Sequence, residues 1–179
     1  MGLLSDFDFW NLVVSVLTPL IVIVVGYSIN RSLQRRTSVT ERKVALFDQT
    51  APDLNSLYCF FLFIGNWKEL SPPEVLAIKR KLDRALHISR FLFSTEFFQM
   101  YKDFMDNCFQ TFTGVGEDAK IRTPLKTADG ARDQAFPGQW NPEWNKMFAD
   151  KSHWADQAKL HATYQRLMKL FAKELGMSR

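Results

Sequence analysis

Arginine and histidine side chains recur at helical spacing between residues 80 and 90, where their types could act together on one ligand. The four cations are Arg80, Arg84, His87 and Arg90, with spacings of 4, 3 and 3 residues. Positions three and four apart are neighbours on a helix surface, so this spacing predicts one basic face. Arginine binds phosphate through its planar guanidinium, and histidine exchanges protons near neutral pH. The pattern therefore indicates phosphate binding or phosphate chemistry.

The pair Arg80 and His87 resembles the Arg…His motif of HEPN-type ribonucleases, although Lys81 departs from the polar residue that commonly follows the arginine. The resemblance implies that Arg80 stabilises the phosphate and His87 moves a proton during attack by a 2′-hydroxyl, with the pair doubled across a dimer. Two other interpretations remain open. The face could bind an anionic surface such as RNA phosphate or the inner membrane leaflet, or it could be a solvated face paired with neighbouring acids.

Other reactive constellations are not found in the sequence. The three histidines have no carboxylates at metal-ligand spacing, so we expect no metal and no cofactor. Gly114 opens the stretch GVGEDAK, which lacks the GK[ST] ending of a phosphate-binding loop. Cys59 and Cys108 match no catalytic signature, and in a reducing compartment they are expected to be buried thiols.

A helix that begins near Ser71 is predicted to carry the basic face. Ser71 can cap it, Pro72 suits the first turn, and Glu74 favours the positive end of the helix dipole. Pro52 is predicted to interrupt the preceding helix, and residues 113–139 show no periodicity and are expected to form a flexible loop. The predicted helices of this region span 53–70, 71–93, 95–112, 142–148 and 152–175.

The run from Phe9 to Asn30 contains 22 residues and no charged side chain. A helix of this length spans about 33 Å, which is enough to cross the ~30 Å hydrocarbon core of a bilayer. Twelve of these residues are Leu, Val or Ile, so insertion is favourable. A buried strand is the alternative, but strands usually end after 4 to 8 residues. We predict a transmembrane helix.

Charges flanking this run predict its orientation. The N-terminal flank carries Asp6 and Asp8, whereas the C-terminal flank carries five cations against Glu41. The positive-inside rule then places the N-terminus outside and the domain in the cytoplasm. Basic residues after the apolar run, and no cleavage site, indicate an uncleaved signal anchor. The five cations are Arg31, Arg35, Arg36, Arg42 and Lys43.

Small and polar residues fall on one side of the predicted span, and Pro19 is expected to kink it. Such a stripe favours close helix packing and self-association, although Ser and Thr also bond to their own backbone in membrane helices. The lipid bilayer and further copies of the chain are thus the expected partners. The stripe consists of Asn11, Ser15, Thr18, Gly26 and Asn30.

The predicted fold is all-α, with a single N-terminal transmembrane helix and a small helical-bundle domain in the cytosol. Its predicted parts are 1–8 outside, 9–30 in the membrane, a basic juxtamembrane helix at 31–50 and the domain at 51–179. This layout resembles the small membrane accessory proteins of bacterial phage defence that accompany type VI CRISPR ribonucleases.

The resemblance implies a ring of subunits whose spans surround a pore and whose activation depolarises the membrane, with RNA or a CRISPR effector as partner. The polar stripe would then line the channel, with Pro19 as a hinge. We therefore expect a non-enzymatic homo-oligomeric membrane protein. A membrane-tethered HEPN-like ribonuclease and a plain anchor for a cytosolic partner remain the alternatives.

Overall fold

The computed structural model describes residues 6–111, 114–127 and 130–177, and in the first helix it describes side chains only at 15, 17–31, 34 and from 37 onwards. Over these residues the chain is mostly helical. It divides into two compact units, Met1–Arg42 and Lys43–Arg179, and the first helix, α1 (Asp6–Leu62), contributes to both.

The first unit exposes its apolar side chains. The aliphatic side chains described between Leu17 and Ile29 are 49% to 65% exposed. Within the described residues, no helix has both the length and the apolar character needed to cross a membrane. The predicted span 9–30 includes side chains at 9–14 and 16, which lie outside the described ones. The span therefore stays a prediction.

The break predicted at Pro52 is wrong, because α1 continues through this residue to Leu62. Proline lacks the N–H that would bond to the carbonyl of Asp48 and costs a helix interior several kcal/mol, ~3 or more. The helix continues because Leu54 and Leu57, which follow the proline, are fully buried and fix its direction. α1 ends before Phe63, whose φ of 58° is left-handed.

Three further long helices enclose the core of the second unit with the C-terminal part of α1. They are α2 (Pro72–Ile88), α3 (Thr95–Cys108) and α5 (Gln157–Glu174). α3 and α5 pack against each other, and the Phe97 and Phe171 rings lie 4.7 Å apart at their interface. The largest buried side chains of this core are Leu54, Leu57, Phe60, Phe61, Leu76, Leu82, Leu86, Phe97, Tyr101, Phe104, Phe109 and Phe171.

Local capping determines where these helices begin. The hydroxyl and the backbone N–H of Ser71 donate to Glu74 Oε2, at 2.6 Å and 2.7 Å, and these hydrogen bonds lower the pKa of Glu74. Ser94 accepts from the N–H of Phe97, so this predicted start is also confirmed. The terminal helix begins at Gln157 rather than at Ser152, because the carboxylate of Asp156 accepts from the first free N–H groups of that helix.

The segment predicted as a loop, 113–139, contains short regular elements where it is described. β1 (Phe109–Gln110) pairs antiparallel with β2 (Lys120–Ile121), and β3 (Lys126–Thr127) pairs antiparallel with β4 (Gly130–Ala131). The helix α4 (Arg132–Ala135) follows. Strands of two residues are too short to produce a periodic pattern, so the sequence could not indicate them. The prediction of an all-α domain is thus confirmed only as a mostly helical one.

Candidate functional site

The basic face predicted on α2 is formed, although it extends over two elements. Leu82 and Leu86 point into the core, so the opposite side of α2 faces solvent and exposes Arg80, Arg84 and His87. α2 ends at Ile88. The fourth cation, Arg90, therefore lies in the 3-10 turn Arg90–Leu92 that follows α2.

The first half of this face lines a cavity of about 550 Å³ against α1. Arg80, Lys81 and Arg84 supply its cations, and Leu46 is part of its apolar wall. Arg80 forms an ion pair with Asp118, and Lys81 Nζ lies 2.8 Å from a carboxylate oxygen of Asp53. None of the described lining residues is acidic, although carboxylates outside the lining pair with two of its three cations.

The second half lines a separate cavity of about 410 Å³, which includes His87 and Arg90. His87 Nδ1 lies 2.8 Å from the carbonyl oxygen of Asp83, and since a carbonyl only accepts, Nδ1 is the donor. The Arg90 guanidinium lies 4.6 Å from the centre of the Phe98 ring, and the His87 ring meets the edge of the same phenylalanine. These contacts hold both side chains beside an aromatic surface.

The structure therefore does not bring Arg80 and His87 together within one chain. The two side chains line different cavities, and the Arg80 guanidinium is turned towards Asp118. A general acid–base group and a phosphate-binding group must converge on one reacting phosphate. Convergence of this pair would need a second copy of the chain.

The residues predicted to line a pore lie in the first unit. The Asn11 side chain lies outside the described residues. Ser15, Thr18 and Asn30 are exposed, and a Cβ added at Gly26 would meet nothing within 4 Å. Because the apolar side of the helix is exposed as well, exposure does not distinguish the two sides, and the pore-lining role stays a prediction.

The remaining reactive side chains that the structure describes in the second unit do not form a site. His161 is exposed, and its Nδ1 lies 2.6 Å from the Tyr58 hydroxyl. Cys59 and Cys108 are free and buried as expected, and burial raises the pKa of the Cys108 thiol. Across the described part of the chain, no three metal-ligating side chains lie close enough to hold an ion.

Sequence reasoning missed Arg132, a buried cation that is only 2% exposed. Its guanidinium lies 3.9 Å from the Phe60 ring centre and 3.8 Å from that of Phe63. It donates to the carbonyl oxygens of Phe60, at 2.8 Å, and Pro124, at 3.1 Å. Burial lowers the pKa of Arg132 to about 9, so it is still charged at neutral pH.

The contacts of Arg132 indicate a structural role, since they fasten the β3–β4 segment to the end of α1. No spacing in the sequence could have revealed it, because its hydrogen-bond partners are mainly backbone carbonyls. The basic face of α2 thus remains the candidate site among the described residues. No family model matches this sequence, and no match was found among curated proteins or solved structures.

Proposed function

We propose that this chain is a single-pass, homo-oligomeric protein of a bacterial inner membrane that carries its helical domain on the cytoplasmic side. The observation that supports the proposal is the exposure of aliphatic side chains on every side of α1 between Leu17 and Ile29. Residues 20–25 follow one another without interruption and cover more than one full helical turn. Each of these six side chains is 50% to 65% exposed among the described residues.

Exposed apolar surface of this kind favours burial, and a lipid bilayer buries it more completely than a groove on a protein. A groove would cover one side of a helix, whereas a bilayer surrounds all sides. The run without charge from Phe9 to Asn30 has the length of a bilayer core, and cations follow it directly. These features favour insertion with the second unit in the cytoplasm.

The polar stripe of the span supports self-association. Gly26 has open space around its α-carbon, so a neighbouring helix could approach closely there. Polar side chains of a span, such as that of Asn30, tend to face another helix or water and not lipid. In the stronger form of the proposal, the stripes of several copies surround a pore whose opening depolarises the membrane, as the phage-defence resemblance implies.

Alkaline carbonate extraction of bacterial membranes tests the insertion. The wild-type chain should stay in the membrane pellet, and Ile21→Arg combined with Val24→Arg should release it, because each central arginine costs ~2.5–3.5 kcal/mol. The control combines Val115→Arg with Met177→Arg, two exposed apolar positions of the second unit, and should stay in the pellet. Release of the wild-type chain would overturn the proposal.

Light scattering of the detergent-solubilised protein tests the assembly. The oligomer should have a protein mass well above the 20.8 kDa of one chain, and a strictly monomeric species would refute self-association.

Conductance measurements on lipid bilayers test the pore. Leucine at Asn11 and Ser15 should abolish any current while leaving the oligomer intact.

The ribonuclease alternative has less support, because Arg80 and His87 line different cavities of one chain. RNA cleavage by the purified protein that is lost in His87→Ala would favour it over the proposal. The role of a plain anchor for an RNA or effector partner would be favoured by an inserted protein that does not self-associate.

A further inference from the structure

Two of the most exposed apolar side chains of the second unit stand at the end of α2. Phe91 is 77% exposed and Ile88 is 70% exposed. Ile88 lines both the cavity that contains Arg84 and the cavity that contains Arg90. The end of α2 thus presents an apolar tip with a basic cavity on each side.

Neither cavity beside this tip has an acidic side chain among its described lining residues, and the nearby carboxylate of Glu174 is paired with Lys43. Arg84 and Arg90 are exposed on either side of Ile88, and His87 lies between them. A surface with an apolar centre and a basic rim is complementary to an anionic bilayer, which offers phosphates around a hydrocarbon interior.

The tip also lies at the end of the second unit where the chain enters it. Lys43, the first residue of this unit, has its Nζ 5.5 Å from the centre of the Phe93 ring. Leu46 lines the same cavity as Ile88. The connection 31–42 contains 12 residues, which reach at most about 40 Å even when fully extended. A tether of this length gives the tip a high effective concentration at the bilayer.

We propose that the turn after α2, centred on Ile88 and Phe91, is a second membrane contact that binds the surface of an anionic phospholipid bilayer. Phe91 and Ile88 enter the boundary between headgroups and acyl chains, and Arg84 and Arg90 bind lipid phosphates. The aliphatic Ile88 favours lipid over RNA, since bases stack on rings and not on a branched alkyl group. The inference rests on the proposed function, because the span supplies the tether.

A fluorescent probe at Phe91 tests this contact in the full chain. Because Cys59 and Cys108 are buried, Phe91→Cys introduces one accessible thiol for an environment-sensitive dye. In proteoliposomes that contain phosphatidylglycerol, its emission should shift to the blue, and brominated acyl chains should quench it. The matched control is Val115→Cys, which is fully exposed on the loop before β2 and should show neither effect.

A cation-removal series tests the electrostatic part. Arg84→Gln combined with Arg90→Gln should weaken the contact about 30-fold, since each cation near an anionic leaflet contributes ~1 kcal/mol. Lys102→Gln combined with Lys169→Gln makes the same change in net charge on exposed parts of α3 and α5 and should leave the contact unchanged. Pure phosphatidylcholine should abolish the shift for the wild-type chain.

The outcomes separate the two proposals. If the labelled chain resists carbonate extraction from the vesicles but the probe at 91 shows no shift, the membrane contact is refuted while the span stands. If the chain is released by carbonate, the proposed function fails. If single-stranded RNA shifts the probe and anionic lipid does not, the surface binds nucleic acid, and the lipid assignment is overturned.

Discussion

One helix contains two apolar stretches with opposite environments. Between Leu17 and Ile29, α1 exposes about half or more of each described aliphatic side chain, whereas Leu54, Leu57 and Phe60 on the same helix are at most 1% exposed. Both stretches are rich in aliphatic or aromatic residues. The difference is that α2, α3 and α5 supply apolar faces that cover the second stretch. Apolar side chains thus favour burial on any part of the helix, but they are buried only where other elements supply an apolar surface.

The largest expected effect comes from a substitution that creates a cavity in the core of the second unit. Phe104→Ala removes a fully buried ring between the helices and should lower the free energy of unfolding of the second unit by about 3–5 kcal/mol. Urea unfolding of the detergent-solubilised chain measures it. Leu20→Ala, in the exposed stretch, should leave this free energy unchanged. An equal loss at Leu20 would mean that residues 17–29 are part of the same cooperative core.

A somewhat smaller loss of stability is expected from Arg132→Met, which tests how a buried cation contributes to the stability of the second unit. The substitution leaves the carbonyl oxygens of Phe60 and Pro124 without their donor and removes the contacts with the aromatic rings. We expect a loss of about 2–3 kcal/mol in the same unfolding measurement. Arg84→Met, on the exposed face, is the matched control and should change stability by at most ~0.5 kcal/mol. An unfolding free energy above that of the wild type would mean that burial of the charge costs more than its contacts return.

The stability of the second unit is expected to depend on pH through Glu174. Burial acts to raise the pKa of Glu174, but hydrogen bonds from Lys43 Nζ, at 2.6 Å, and from the N–H of Ser94 outweigh it and hold the pKa below its usual value. The resulting stabilisation is present above the unfolded-state pKa and is lost as the pH falls through the lowered folded-state pKa. Glu174→Gln should therefore lower stability by about 1 kcal/mol at pH 7.

Urea titrations at several pH values check this prediction. The difference between wild type and Glu174→Gln should shrink as the pH falls below the ordinary carboxyl range. Glu143→Gln is the control, because its pair with Lys146 is mostly exposed. A difference that is independent of pH would show that the contribution of Glu174 is packing and not charge.

The smallest effect is expected on the exposed face of α2. Arg80 and Asp118 form an ion pair in which both side chains are about half exposed or more, with 61% and 47%. Such pairs contribute ~0–1 kcal/mol, so Arg80→Ala should change the unfolding free energy only slightly. A loss comparable to that of Phe104→Ala would mean that this face is part of the packed structure and is not a surface available to a ligand.

Helix starts were predictable from the sequence, whereas continuations and short strands were not. Ser71 and Ser94 cap their helices through atoms within three residues along the chain, so local patterns contain the needed information. Continuation of α1 through Pro52 depends on burial of Leu54 against other helices. The β1–β2 pairing depends on Phe109 meeting Ile121, which are 12 residues apart.

The same distinction between predictable and unpredictable features applies to the candidate site. The spacing of Arg80, Arg84 and His87 predicted a basic face correctly, because helical periodicity is local. It could not predict that α2 ends at Ile88, that Arg80 turns to Asp118, or that His87 lies against Phe98. These contacts come from a loop and a helix that follow later in the chain.

By itself, the sequence determined the mostly helical character, the caps, the uncharged run from Phe9 to Asn30 and the basic spacing on α2, since each depends on residues a few positions apart. Only the tertiary structure decided that the basic face divides into two cavities around Ile88 and that Arg132 is buried among aromatic rings. The physical reason is that these environments are built by side chains far apart in the chain, whose meeting depends on how the helix faces pack.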